Sequence, residues 1–318
     1  AFEEADSKNR MLLGGKGAGL SEMTRLKLPV PSGFTITTEV CNKYYDNDRK
    51  LSKDVMPQVM KNIAKMEKKT GKKWNSTKNP LLVSVRSGAA ISMPGMMDTI
   101  LNLGLNEKTV EGFAQQTKNP RFSWDSYRRF IQLFGKVVFG VNDEKFDHVL
   151  DSAKNKQGVT DDSKLSVESL KKIVSEYKKI CEKHTKRKFP DTPNEQLGLA
   201  IEAVFKSWMG ERAVVYREKN GITKDIANGT AVNVVTMVFG NMGDDSATGV
   251  VFTRNGSDGK REIEGEYLIN AQGEDVVAGV RTGKNVDLLK KEMPKSYKEL
   301  SNACAKLEKH FREPQDIE

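Results

Sequence analysis

The sequence predicts a mixed α/β (α+β) protein of two α/β lobes with a helical subdomain between them. Two apolar, β-favouring runs indicate the lobes: residues 81–85, bounded by Pro80 and Gly88, and residues 231–240, which are apolar on both faces and read as a central strand. Amphipathic helical patterns fill the stretch between these runs. We therefore expect an N-terminal lobe at 1–106, a helical subdomain at 107–195 and a C-terminal lobe at 196–318.

Composition narrows the class of protein. The 318 residues are 37% hydrophobic and 30% charged, and no apolar run approaches the length of a membrane span, so we expect no membrane partner. The net charge of +9 is dispersed among 43 acidic residues, which argues against nucleic acid as a partner. Three widely spaced cysteines fit reduced thiols in an intracellular compartment. We expect a cytoplasmic location, with a plastid or a glycosome-like organelle as alternatives.

The first candidate site follows the predicted strand at 81–85. Arg86 stands at the end of this run, and the loop behind it is rich in glycine and hydroxyl residues, including Gly95 and Thr99. Bare backbone N–H groups and a planar guanidinium both suit a phosphate group. An alternative is that Arg86 forms a salt bridge with a neighbour beside an ordinary loop.

A second candidate site is the glycine-rich segment 12–23, which contains Lys16. Its glycines permit a tight turn, and the following pattern predicts a helix whose first N–H groups would face a bound phosphate. The segment is not a Walker A loop, because Gly17 stands where that motif needs a hydroxyl residue directly after the lysine. The alternative is a flexible connector with a solvated lysine.

These segments resemble a known family. VRSGAAISMPGMMDTILNLGLN is similar to the signature of the nucleotide-binding domain of pyruvate, phosphate dikinase. Further similar segments run from one end of the chain to the other: LLGGKGAGLSEM, LPVPSGFTITTE, RFSWDSYRRF, AVNVVTMVFGN with GVVFTRN, and EYLINAQGEDVVAGVRT. The related phosphoenolpyruvate synthases (pyruvate, water dikinases) are the alternative, but the SGAAISMPGMMDT pattern favours the dikinase. One departure from the family is Gly256, where a proline is usual.

The resemblance implies an ATP-grasp-like nucleotide-binding domain, with ATP as substrate and Mg²⁺ as cofactor. It also implies a reaction in which the β-phosphoryl of ATP passes to a histidine on a separate domain and inorganic phosphate takes the γ-phosphoryl. AMP and pyrophosphate leave, and the phosphohistidine converts pyruvate to phosphoenolpyruvate on a barrel domain. The implied partners are therefore ATP, phosphate, the phosphohistidine domain and the barrel, in a homodimeric full-length enzyme.

The resemblance also implies roles for individual residues. Lys16 and Arg86 neutralise phosphate charge, and Gly95 and Gly249 belong to loops that close over the phosphates. Met237 and Val238 offer backbone groups to the purine, and Glu274 serves the ribose or the metal shell. The complete set of expected nucleotide-binding residues is Gly95, Met97, Thr99, Met237, Val238, Gly249, Glu274 and Asp275.

The expected metal site lies in the segment EPQDIE. If this segment enters a strand, Asp316 and Glu318 point to the same face, because side chains alternate with a period of two residues. Two carboxylates beside a triphosphate suit Mg²⁺, which shares hard oxygen ligands with phosphate. The family's magnesium-binding Asp and Glu match these two positions. The alternative is a frayed acidic tail.

Overall fold

The computed structural model describes residues 1–277 and 282–318 and divides into two compact units, Ala1–Met237 and Val238–Glu318. We refer to them as unit 1 and unit 2. The predicted mixture of helices and strands is confirmed, and both units contain a four-stranded antiparallel sheet. In the described part of the chain, no helix has the length and apolar character needed to span a membrane.

The sheet of unit 1 has the strand order β1-β4-β2-β3. Its strands are β1 (Gly33–Ile36), β2 (Val83–Gly88), β3 (Thr99–Leu103) and β4 (Ala231–Thr236). All six residues of β4 are buried, and β4 pairs with β1 on one side and β2 on the other. The prediction of a buried central strand is thus confirmed.

The two faces of this sheet differ in chemistry. One face carries buried valines of the two inner strands, among them Val83, Val85 and Val234. The other face carries one cross-strand row of polar residues, in which Thr35 pairs with Asn233, Asn233 with Arg86, and Arg86 with Thr99. We call these four residues the polar row. Since paired residues in antiparallel strands share a face, the row crosses all four strands at one level.

The helices of unit 1 pack around this sheet. They are α1 (Arg10–Arg25), α2 (Thr38–Asp46), α3 (Val55–Thr70), α4 (Glu107–Thr117), α5 (Pro120–Val137), α6 (Glu144–Gln157), α7 (Val167–Thr185), α8 (Pro193–Ser207) and α9 (Glu211–Lys219). Those from the middle of the sequence, α4 to α7, form a helical layer and pack on one another, with α5 also against β3. The fully buried Phe130 and Tyr177 belong to their core.

Capping explains where the helix α8 begins. The Thr192 hydroxyl accepts a hydrogen bond from the backbone N–H of Glu195 at 3.3 Å, and Pro193 occupies the first helical position. A cap of this kind satisfies one of the N–H groups that a helix start leaves without an intrahelical partner. The Thr-Pro-x-Glu pattern thus predicts this start from sequence alone.

Unit 2 is a smaller α/β assembly. Its sheet has the order β7-β6-β5-β8, and its elements are β5 (Ala247–Phe252), β6 (Glu264–Ile269), α10 (Gly273–Val277), β7 (Lys284–Asn285), α11 (Leu289–Glu292), α12 (Pro294–Phe311) and β8 (Asp316–Ile317). Buried Val251, Tyr267 and Cys304 form the centre of its core together with Val286 and Leu289.

The boundary between the units differs from the predicted lobes. It falls after Met237, so unit 1 contains both 1–106 and 107–195 as well as the first part of 196–318. The strand β4, which we expected to begin the C-terminal lobe, lies inside the sheet of unit 1. The reason is that a strand with two apolar faces indicates burial but does not identify its partner strands.

Candidate functional site

The glycine-rich segment begins the site in unit 1. Gly14 interrupts α1 with φ of +68° and ψ of 166°, so the regular helix starts at Gly15. The Gly15 N–H donates to the carbonyl of Ala89 at 2.7 Å, and a side chain at Gly14 would overlap the carbonyl of Gly88. Glycine is needed here for both its backbone angle and its lack of a side chain.

Lys16 therefore lies where α1 meets the end of β2. It is exposed to solvent, one residue beyond the Gly15–Ala89 hydrogen bond. A methyl group placed on Gly88 would lie 3.3 Å from the Lys16 Cβ, which shows how closely the two segments approach. The structure thus brings the glycine-rich segment and the Arg86 strand together, although 70 residues separate them in the chain.

Arg86 lies inside β2, which continues two residues beyond it to Gly88. The expectation that the strand ends at the arginine was wrong. The extension is explained by pairing of Ser87 and Gly88 with Val232 and Ala231 of β4. Arg86 is partly buried, and its Nε donates to the Ser84 hydroxyl at 3.3 Å, so the guanidinium is held along its own strand.

The loop between β2 and β3 carries further expected residues. Gly95 is exposed with φ of +71°, while Met97 and Thr99 are partly buried, and Thr99 pairs with Arg86 across the strands. The backbone N–H of Asp98 donates to the Ser207 hydroxyl of α8 at 3.4 Å, which ties the end of the loop to a helix. Burial raises the pKa of the Asp98 carboxyl, with Arg212 opposing that effect.

Met237 and Val238 follow β4. The N–H of Met237 donates to the carbonyl of Leu82 at 2.9 Å, so it extends the sheet and is already used there. The Met237 N–H is therefore not available to a purine, because it already has a hydrogen-bond partner in the sheet. The expectation that backbone groups of Met237 and Val238 bind the purine stays a prediction for the other groups. The Met237 side chain is buried, whereas that of Val238 is 70% exposed.

In unit 2, Gly249 lies within β5, opposite Tyr267 of β6. We had expected Gly249 to lie in a loop that closes over the phosphates. It lies in a strand instead, because the pairing between β5 and β6 continues through it. Glu274 and Asp275 lie in the short helix α10 and are partly buried. The Asp275 carboxylate accepts a hydrogen bond from the backbone N–H of Gln272 at 2.9 Å. The end of the family-like segment, residues 278–281, lies outside the described residues.

The expected metal ligands lie at the edge of the same sheet. β8 pairs with β5, with Asp316 opposite Phe252 and Ile317 opposite Val251. Ile317 packs against the core of unit 2, so alternation places Asp316 on the other face, and both Asp316 and Glu318 are exposed. Within residues 1–277 and 282–318, no three His, Cys, Asp or Glu side chains are grouped as metal ligands. Two carboxylates nevertheless suit Mg²⁺, which commonly binds one or two carboxylates and completes its shell with phosphate and water.

Sequence reasoning did not identify Thr35 and Asn233 as members of the polar row. Asn233 is fully buried in the middle of the otherwise apolar β4, and the Thr35 hydroxyl donates to the Asn233 Oδ1 at 2.8 Å. A buried amide in an apolar strand was a usable signal, since buried polar groups need a partner. The partner itself, almost 200 residues away in the chain, could not be read from sequence.

Comparisons with known proteins agree with the resemblance. Residues 10–55 and 47–296 match the family described as "Pyruvate phosphate dikinase, AMP/ATP-binding domain". The chain is 52% identical over 318 residues to a pyruvate, phosphate dikinase of Clostridium symbiosum and 53% identical over 320 residues to one of Entamoeba histolytica; each alignment covers 100% of this chain and 36% of the relative. A chloroplastic pyruvate, phosphate dikinase of Mesembryanthemum crystallinum is 48% identical over 315 residues, which cover 99% of this chain and 33% of the relative.

The chain thus spans about a third of the length of the curated relatives it matches. The family match covers most of the chain and includes the glycine-rich segment, the polar row and most of unit 2. The chain belongs to the pyruvate, phosphate dikinase AMP/ATP-binding domain family.

Proposed function

We propose that this chain binds ATP and supplies the phosphoryl-transfer site of a pyruvate, phosphate dikinase. The observation that carries the proposal is the close approach of Lys16 to Gly88, two residues after Arg86 in β2, in a chain of this family. An exposed ammonium and a guanidinium next to glycine-rich backbone form a site that favours polyphosphate. Phosphoryl transfer depends mainly on such positioning and charge neutralisation.

In this proposal each residue has a physical task. Lys16 and Arg86 offset the negative charge of the phosphates, Arg86 with two donors in one plane and Lys16 as a point charge. Gly95 and Met97 of the β2–β3 loop and Thr99 at the start of β3 are proposed nucleotide-binding residues of unit 1. Gly249, Glu274 and Asp275 are the proposed nucleotide-binding residues of unit 2. Val238 offers its backbone and its exposed side chain to the base.

Asp316 and Glu318 would hold Mg²⁺. The metal supplies charge neutralisation between phosphate oxygens when it is bound. The two carboxylates would contribute hard oxygen ligands to that ion. An ATP-grasp-like fold is part of this proposal.

The wider reaction is also proposed. By analogy with the names of the relatives, pyruvate and inorganic phosphate are the other substrates. The family resemblance implies that a phosphohistidine domain and a pyruvate-binding barrel would belong to a longer homodimeric protein. We propose a cytoplasmic location. A plastid is the alternative, because two of the relatives are named as chloroplastic. Formation of pyrophosphate from ATP and phosphate by the longer protein would distinguish this activity from that of a pyruvate, water dikinase.

Calorimetric titration of this chain with ATP, with and without Mg²⁺, tests the proposal. We expect binding that is stronger with Mg²⁺ and at least about tenfold weaker in Arg86→Ala, since charge-assisted hydrogen bonds are lost. The matched control is Arg187→Ala, which removes an exposed arginine after α7 but keeps the backbone hydrogen bonds at that position. Equal affinity of the Arg86 and Arg187 variants would contradict the proposed role of Arg86.

A further inference from the structure

Asn233 occupies an unusual position beneath the proposed phosphate site. It is fully buried at the centre of β4, and its cross-strand partners are Thr35 of β1 and Arg86 of β2. The neighbours of Asn233 along the strand, Val232 and Val234, are apolar and buried. An isolated amide at such a position costs stability unless its hydrogen-bonding groups are satisfied.

The amide of Asn233 is only half satisfied. Its Oδ1 accepts a hydrogen bond from the Thr35 hydroxyl at 2.8 Å, but its buried Nδ2 finds no acceptor in the part of the chain that the structure describes. A leucine would fill a similar volume without this cost. The amide therefore needs an explanation other than stability.

The shape of the surroundings supplies that explanation. A methyl group on Gly17 would lie 2.9 Å from the Asn233 Oδ1, and one on Gly88 would lie 2.8 Å from its Nδ2. The amide thus fills the space between the glycine-rich start of α1 and the end of β2, with a glycine facing each of its ends. The Gly88 position is also the one that approaches the Lys16 Cβ.

We propose that Asn233 is a positioning residue that sets the separation of Lys16 and Arg86, an inference that rests on the proposed ATP site. Its amide separates α1 from β2 at a fixed distance, and the Thr35 hydrogen bond fixes the orientation of that amide. Arg86 is its direct cross-strand partner, and Lys16 is adjacent to Gly17, which the amide touches. A shift of the amide therefore changes the spacing of the two cations that receive the phosphates.

The test separates phosphate positioning from general stability. The variant Thr35→Val/Asn233→Leu replaces both hydrogen-bonding partners by apolar groups of similar shape, which is expected to leave folding nearly unchanged. Affinity for ATP is measured by calorimetry, affinity for adenosine by competition, and stability by thermal unfolding. We expect ATP affinity to fall about tenfold, because the leucine lacks the Thr35 hydrogen bond that fixes the side chain between α1 and β2, and small displacements of charged groups reduce binding strongly. Adenosine affinity should stay within about twofold, since adenosine lacks the phosphates.

The control is Gln196→Met, which removes another fully buried amide of unit 1 that lies outside the polar row. It should lower stability but leave the ratio of ATP to adenosine affinity unchanged.

If the double variant does not fold, Asn233→Ser gives the same comparison, because it keeps a hydroxyl for Thr35 and removes the part of the side chain that separates α1 from β2. An unchanged affinity ratio in a folded Asn233 variant would overturn the inference. Failure of the unaltered chain to bind ATP would overturn the proposed function and the inference with it.

Discussion

The polar row of the unit 1 sheet and the charged cluster of the helical layer differ in whether their buried polar groups find hydrogen-bond partners. In the charged cluster, formed by Asp125, Arg128, Arg129 and Asp162, the Arg128 guanidinium donates to the carboxylates of Asp125 at 3.0 Å and Asp162 at 2.9 Å. In the polar row, Asn233 keeps a buried N–H group without an acceptor among the described residues, and Arg86 remains partly open to solvent.

This difference indicates different tasks. Buried charges that satisfy one another hold helices together and leave little capacity for a ligand. A row that retains an unsatisfied donor and a partly exposed cation costs stability, which is a common property of sites that bind or react. The comparison is consistent with a stabilising role for the charged cluster and with the phosphate-binding role that we propose for the polar row, and each role predicts a separate measurable effect.

The largest expected effect is on the charged cluster. Asp125→Asn should lower the free energy of unfolding by about 4 kcal/mol, since removing one member of a buried ion pair leaves the other uncompensated. Urea unfolding provides the measurement, and ATP affinity of the folded variant should not change. Asp151→Asn is the control, because Asp151 is exposed and pairs with Lys154 at the surface, where such pairs contribute little. Similar losses in the two variants would contradict the assignment.

The same cluster predicts a dependence of stability on pH. Burial alone would raise the pKa of Asp125, but the charges of Arg128, Arg129 and Arg121 outweigh it and lower the pKa from 3.8 to about 2. A depressed carboxyl pKa stabilises the fold above the unfolded-state value, and this contribution is lost as pH falls from about 4 towards 2.

We therefore expect the stability difference between the unaltered chain and Asp125→Asn to shrink by about 2 kcal/mol between pH 5 and pH 2.5. Urea unfolding at constant ionic strength measures it. The exposed Asp151→Asn variant should differ from the unaltered chain by the same amount at both pH values. A constant difference for Asp125→Asn would show that the native carboxyl of Asp125 has an ordinary pKa.

A smaller effect is expected in the polar row. Arg86→Lys keeps the positive charge but loses the planar pair of donors, so ATP affinity should fall about tenfold, or about 1.4 kcal/mol. Stability should change by less than about 0.5 kcal/mol. Calorimetry and urea unfolding measure the two quantities, with Arg187→Lys as the control. A loss of stability without a loss of ATP affinity would show that Arg86 stabilises the fold and does not bind the phosphates.

The smallest expected effect is at the edge of the polar row. Thr99→Val removes one hydroxyl from β3 and preserves the branched shape that suits a strand. We expect ATP affinity to fall about threefold, or about 0.7 kcal/mol, since a single hydroxyl donor is lost at the edge of the site. Calorimetry measures the affinity of the variant for ATP and, as the reference, its affinity for adenosine. An equal loss of adenosine affinity would show that Thr99 does not act on the phosphates.

Local patterns predicted much of the secondary structure. The buried run at 231–240 contains β4, the Thr-Pro-x-Glu pattern begins α8, and the apolar face with Phe130 lies in the core of the helical layer. These predictions succeed because burial, capping and periodicity act within a few residues. The placement of β4 failed for the opposite reason: its partners β1 and β2 are distant in the chain, and apolar character does not select among them.

The features of the candidate site also fall into two groups, those that local sequence predicts and those that depend on distant strands. Arg86, Lys16 and the glycines were predicted as phosphate-binding residues from residue type, because phosphate chemistry restricts which groups can serve, and these roles stay predictions. Three features could not be read in this way: the use of the Met237 N–H by Leu82, the place of Gly249 inside β5, and the pairing of Thr35 with Asn233. Each depends on which strand lies alongside, and register is a property of the assembled sheet.

The sequence by itself thus determined the family, the mixed α/β class and the chemical groups available for phosphate. The tertiary structure alone decided that Thr35, Asn233, Arg86 and Thr99 form one row, and that Lys16 lies close to Gly88 at the end of β2. The physical reason is distance along the chain. Capping and periodicity are local interactions encoded by neighbouring residues, whereas a row across four strands exists only after residues some 200 positions apart have paired.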